Sequence, residues 1–125
     1  MGVIIEGKYE HNSPPEVTIV FKGIRELPRV SIGRYGKDIP PGMDELDPGT
    51  KGAVVQYYMI DSNIVSEEIE IRILARLSDP EVEGEIFQWS GKHWDRLEFQ
   101  EWWNVGKYKL IIGKTDHLSG FGIRT

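Results

Sequence analysis

The sequence predicts an all-β fold: an antiparallel β-sandwich, immunoglobulin-like, of roughly nine short strands. Three observations lead there. Residues 68–77 place Ile69, Ile71, Ile73, Ala75 and Leu77 on every second position, with Glu70, Arg72 and Arg76 in most of the gaps. Successive side chains of a strand point to opposite faces, so this run has one oily and one largely charged face; a helix would scatter the isoleucines. The same alternation recurs along the chain, broken by clusters of Gly, Pro, Asn and Asp, while no stretch shows a sustained helical period. Residues 68–77 are therefore expected to be the central strand of an antiparallel sheet.

In chain order, residues 2–9, with Val3, Ile4 and Ile5, suit a first or edge strand, and 11–15 (His-Asn-Ser-Pro-Pro) read as a loop. Residues 16–24 alternate Val17, Ile19 and Phe21 against Thr18 and Lys22. Residues 27–35 alternate Val30 and Ile32 against Ser31. Residues 36–52 are the least regular part, holding Pro40-Pro41-Gly42 and Asp47-Pro48-Gly49. A loop of that length in a small domain is expected to be functional or a crossover between sheets. Residues 53–60 form another strand, with a turn at 61–63. Residues 85–90 and 94–99 flank Gly91-Lys92 as a hairpin. Residues 101–104 read as a loop. In 107–112, Tyr108, Leu110 and Ile112 alternate with Lys107 and Lys109. In the last strand, 119–124, Phe121 and Ile123 point inward. Gly120 and Gly122 leave the other face bare, so that a ring such as Trp94 or Tyr108 can lie on the backbone.

Length and composition narrow the function classes. At 125 residues the chain is one domain, 1–125, large enough to bury a core unaided. It has no cysteine, so disulfides and thiolate metal sites are excluded. A formal charge of −5, with both signs interspersed, disfavours nucleic acid as a partner. No apolar run is long enough to span a membrane, and no signal-peptide pattern opens the chain.

Few residues carry chemistry. His11, His93 and His117 fall in or beside separate predicted turns without metal-ligand spacing. Asp44, Glu45 and Asp47, or Asp79, Glu81 and Glu83, offer oxygen ligands but no calcium-loop pattern, so neither a metal nor another cofactor is expected. Trp89, Trp94, Trp102 and Trp103 fall within fifteen positions. Trp89 and Trp94 should pack near their hairpin. Trp102 and Trp103, being adjacent, should point to opposite sides, one of them exposed. Exposed tryptophans stack on sugar rings or anchor a protein partner, which makes Trp94, Trp102 and Trp103 the candidate ligand-binding residues.

Taken together, residues 55–123 resemble the PGF-pre-PGF type domain of archaeal cell-surface proteins. The resemblance rests on Gln56-Tyr57-Tyr58-Met59-Ile60-Asp61 followed by Asn63-Ile64, and on Ile69-Glu70-Ile71-Arg72-Ile73. It continues in Ile86-Phe87-Gln88-Trp89-Ser90, Gly91 and Trp94-Asp95-Arg96-Leu97. It closes on Tyr108, Thr115 and Leu118-Ser119-Gly120-Phe121-Gly122-Ile123. The family pattern has Ser-Trp after the isoleucine strand, where this chain has Ser78-Asp79-Pro80, and Ala where it has Gly122. The resemblance implies a non-catalytic structural or adhesion module of an archaeal surface or secreted protein, located extracellularly or at the cell surface, with a protein or glycan partner there. It implies no catalytic residue. The alternative reading is a carbohydrate- or protein-binding module using its exposed tryptophans, and the third is a small hydrolase using paired acidic side chains.

Overall fold

The computed structural model describes residues 3–47, 55–66, 68–76 and 84–125. Among them are ten strands: β1 (Lys8–Asn12), β2 (Val17–Lys22), β3 (Val30–Gly36), β4 (Val55–Ser62), β5 (Glu68–Arg76), β6 (Glu85–Trp89), β7 (Trp94–Arg96), β8 (Gln100–Val105), β9 (Tyr108–Thr115) and β10 (Gly120–Arg124). They form two five-stranded antiparallel sheets, sheet A in the order β1-β2-β5-β9-β8 and sheet B in the order β3-β4-β10-β6-β7. The result is sandwich-like and all-β. Immunoglobulin-type sheets place the last strand at an edge, whereas here β10 is third of five.

The core follows the alternation. β5 is the middle strand of sheet A, and Ile69, Ile71, Ile73 and Ala75 all face inward and are buried. Val17, Ile19 and Phe21 of β2 lie beside them in register with Ile73, Ile71 and Ile69. From sheet B come Tyr58, Ile60, Ile86, Phe121 and Ile123. Each such aliphatic or aromatic side chain contributes about 1.5–3 kcal/mol by leaving water.

Several expected elements differ. β1 starts at Lys8 and runs through His11 and Asn12, where a loop was expected. Pairing with β2 is what decides it: Lys8 opposes Lys22 and Asn12 opposes Thr18, and the Asn12 amide ties the strand end to the carbonyls of Pro15 and Val17. β4 continues through Asp61 and Ser62, which were expected to turn, because both pair with β3. The strand expected at 94–99 is paired only over Trp94–Arg96. Residues 101–104, expected to be a loop, lie inside β8. β8 and β9 are joined by Gly106-Lys107, with Gly106 at φ 60°. Glycine first in a two-residue loop suits a type II′ turn and makes the two strands a hairpin. The alternation in β9 is present, but its apolar set faces outward: Lys109, Ile111 and Gly113 are buried while Tyr108 is exposed. Leu77, Asp79, Glu81 and Glu83 lie outside the described residues.

The long stretch after β3 is not a crossover, for β3 and β4 are neighbours in sheet B. Its described part, residues 37–47, folds back over the outer face of that sheet, where Leu46 is buried. A Cβ on Gly120 would sit 2.4 Å from Met43 Cε, and one on Gly122 2.8 Å from Leu46 Cδ2 and 3.6 Å from Trp94 Cζ3. The bare glycine face of β10 is thus covered by the loop and by Trp94. Tyr108 belongs to the other sheet. On the inner face Phe121 is fully buried, and β10 is paired on both sides, by β4 and β6.

Two stability predictions come from this strand. Phe121→Ala should cost about 3–5 kcal/mol in urea unfolding, through lost burial and a residual cavity; a loss below about 1 kcal/mol would mean that β10 is not part of the core. The second concerns Glu85, which accepts hydrogen bonds from Arg124 Nε at 3.0 Å and Arg96 Nε at 2.9 Å. Burial pushes its carboxyl up, but hydrogen bonds and charge from Arg124 and Arg96 outweigh this and hold it below its ordinary 4.5. A carboxyl lowered in the folded state stabilises above its unfolded value and loses that contribution as pH falls through the folded one. Urea midpoints should therefore fall more steeply below about pH 4.5 in the parent than in Glu85→Gln, and the two curves should separate most at neutral pH.

Candidate functional site

The three candidate tryptophans occupy three different places. Trp94 lies on the outer face of sheet B. Its ring contacts Trp89 edge-on at 5.2 Å between centroids and Tyr57 at 5.7 Å, and its Nε1–H donates to the Asp44 carbonyl at 2.8 Å. The hairpin packing of Trp89 with Trp94 is as expected; the role in holding the 37–47 loop was not expected. Trp102 is half-buried against the core, with Lys109 Nζ 4.9 Å from its ring centroid. That buried lysine places its ammonium over the face of an electron-rich ring. Trp103 points the other way and is 58% exposed on the outer face of sheet A. Adjacent residues of a strand must diverge in this way.

Trp103 does not stand alone. Across the β8–β9 ladder it opposes Leu110, while Val105 opposes Tyr108 and Glu101 opposes Ile112. The next ladder places Leu74 beside Leu110 and Arg72 beside Ile112. Phe99, just before β8, is 67% exposed, and its carbonyl accepts the Lys114 N–H at 3.0 Å. Tyr108 is 47% and Val105 49% exposed. Four of the large exposed apolar side chains among the described residues thus share one half of one sheet face. Between Phe99 and Ile112 lies a depression of about 290 Å³, also lined by Glu98, Gln100, Glu101 and Lys114.

The other half of that face differs in kind. There Lys22 pairs with Glu68 at 3.5 Å, and Arg72 with Glu70 at 2.6 Å and with Glu10 at 3.7 Å. The latter three charged side chains surround Val20, which is buried although its strand position faces outward. The charged groups around the aromatic half, Glu98, Glu101 and Lys114 at one end and Arg76 opposite Tyr108 at the other, make no ion pair among the described residues.

Two other concavities hold groups that are already engaged. A cleft of about 430 Å³ between β1 and β3 is lined by His11, Ser13, Pro14, Val30, Ile32 and Arg34. Arg34 is bound to Glu16 at 2.7 Å. Nearby, Tyr58 is pushed up to about 12, first by burial and then by the Glu16 charge. A smaller one of about 170 Å³ includes Asp61, Ser62, Asp116 and His117, where His117 Nδ1 lies 2.6 Å from Asp116. His93 pairs with Asp95 at 2.9 Å on the surface. Of the three histidines, His11 therefore sits in a strand, and the other two lie exposed beside acidic neighbours. No group of three or more His, Asp or Glu among the described residues could hold a metal ion.

Trp103 is legible in the sequence by its adjacency to Trp102, whereas Phe99, Tyr108, Glu101 and Lys114 do not stand out there as site residues. The available signal was Val105-Gly106-Lys107-Tyr108, a two-residue hairpin with glycine first. Pairing 105 with 108 puts Trp103, Val105, Tyr108 and Ile112 on one face.

Compared with known protein families, characterised proteins and solved structures, the chain matches none. No helix of the described residues is long and apolar enough to cross a membrane.

One prediction tests the loop that Trp94 helps to hold. The Tyr57 hydroxyl accepts the buried Leu46 N–H at 2.8 Å. Tyr57→Phe should leave that donor without its partner and cost about 1–3 kcal/mol, and hydrogen exchange should accelerate at the Leu46 amide before it does in β5.

Proposed function

We propose that this chain is a non-catalytic structural or adhesion module of an archaeal surface or secreted protein, and that it works by contact through the outer face of sheet A. The observation that carries this reading is the shared placement of Phe99, Trp103, Val105 and Tyr108 on one half of that face, with the opposite half closed by ion pairs. Isolated exposed apolar residues need no explanation, whereas a contiguous exposed set marks an interaction surface. A β-sheet is a rigid platform, so little conformational entropy is lost when a partner settles on side chains held by a paired strand. The resemblance to the PGF-pre-PGF type domain supports the surface setting and the lack of catalysis. The reading uses the sandwich and does not depend on an immunoglobulin strand order.

The alternative, a carbohydrate- or protein-binding module using exposed tryptophans, is favoured in one particular by the same face: of the three candidates, Trp103 is the one turned fully outward. The test is adhesion of the labelled chain to archaeal envelope fragments. Trp103→Ala should lower retention by roughly tenfold, the loss expected for a buried aromatic anchor, while the melting temperature stays within about 2 °C of the parent, as for a surface substitution. Equal retention of parent and variant would remove this face from the reading, and retention of neither would remove the adhesion role.

A further inference from the structure

We propose that the aromatic half of the outer face of sheet A is a binding site for a neutral oligosaccharide, with Phe99 and Trp103 as stacking platforms and Glu98, Glu101 and Lys114 as hydrogen-bonding groups. The inference rests on the contact-surface reading above and adds the chemical class of the ligand.

Three features separate a sugar from other occupants. First, charged groups are interleaved with the apolar set. Glu101 lies on the outer face between Phe99 and Trp103, and Lys114 sits at the Phe99 end of the same rows. The centre of a protein–protein interface is depleted in Glu and Lys, because a dry contact would strip their water without replacing it. A pyranose meets both requirements: its C–H face lies on an aromatic ring while its hydroxyls, each a donor and an acceptor, satisfy carboxylate and ammonium in place of water. Second, these charged groups make no ion pair among the described residues, in contrast to Lys22, Glu68, Glu70 and Arg72 on the same sheet face. They are available to a ligand, and Lys114 is held in register by its N–H bond to Phe99. Third, two carboxylates against one ammonium give the depression a local charge of −1, and the chain carries −5 overall; the exposed Arg76 lies opposite Tyr108, at the far end of the aromatic half. An acidic sugar would be repelled from the depression. A neutral sugar is not.

The spacing points to more than one sugar unit. Phe99 and Trp103 are four residues apart, which at strand rise is about 13 Å. Both rings can be covered at once only by a short chain of sugars, running from the depression at Phe99 across Trp103 toward Tyr108. Trp103 is about 8 Å from Tyr108, two residues along and one strand across.

The experiment is calorimetric and ligand-observed NMR titration of the full chain with neutral gluco-, manno-, galacto- and xylo-oligosaccharides, and with the corresponding uronic acid oligomers. The expected result is binding of at least one neutral series, with oligomers tighter than the monosaccharide and uronates weaker than their neutral counterparts. Trp103→Ala should raise Kd by roughly tenfold, Trp103→Tyr should restore most of the affinity, and Glu101→Gln should weaken binding while leaving the fold intact by circular dichroism. The proposal is overturned if no neutral oligosaccharide binds at tens of millimolar, if uronates bind more tightly, or if Trp103→Ala binds as the parent does. Periodate treatment of the envelope separates this from the broader reading. Adhesion that depends on Trp103 but survives destruction of the sugar diols would overturn the glycan and keep the contact surface.

Discussion

The central strand β10 must be covered on both faces, and much of the architecture follows from how that is done. Its inner face is made of Phe121 and Ile123, packed on the isoleucines of sheet A. Its outer face is Gly120, Gly122 and Arg124, and at the two glycines no side chain exists to keep water off the backbone. The 37–47 segment supplies the missing layer: Met43 over Gly120 and Leu46 over Gly122, with Trp94 beside them. The segment is pinned by polar contacts at its far end, from Leu46 N–H to Tyr57, from Trp94 to the Asp44 carbonyl and from Arg124 to the Asp47 carbonyl at 3.0 Å. A loop that looks irregular in sequence is thus a structural cover. The space it needs exists because β10 carries glycine rather than alanine or valine at both positions.

Sheet A solves its outer surface in another way. Its β1–β2–β5 half lays paired charges over the strand, close enough that Val20 is buried beneath them. Its β8–β9 half keeps aromatic and aliphatic side chains exposed and leaves the neighbouring charges without ion pairs among the described residues. The exposed side chains of that half contribute nothing to the core, which is why the proposed contact is placed there. Trp102 and Trp103 express the same division within one dipeptide: one ring completes the interior beside Lys109, the other is turned to solvent.

The strands that were legible are those whose apolar residues lie mostly on one side. Glu68–Arg76 and Val17–Lys22 have inward isoleucine, valine and phenylalanine against mostly polar neighbours, with Leu74 and Val20 as the outward exceptions, so period and burial agree over most of each strand. Tyr108–Thr115 misleads because both faces are apolar: Ile111 serves the core while Tyr108, Leu110 and Ile112 serve the outer surface, and the more conspicuous set is the outer one. In Gln100–Val105 two adjacent tryptophans conceal the alternation, and the strand exists because the Gly106 turn folds it onto β9. His11 and Asn12 have little strand propensity and gain it from β2.

By itself the sequence determined the all-β class, the middle position of Glu68–Arg76 in its sheet, the inward direction of Phe121, and the divergence of Trp102 from Trp103. Each is a consequence of local period, because neighbouring side chains of one strand have no choice about their relative direction. Only the tertiary structure decided which apolar set of β9 faces the core, which strands flank β10, what covers its glycines, and which aromatic residues meet across β8 and β9. Those outcomes depend on the register between segments far apart in the chain, and register is set by the pairing of whole strands, which no single stretch encodes.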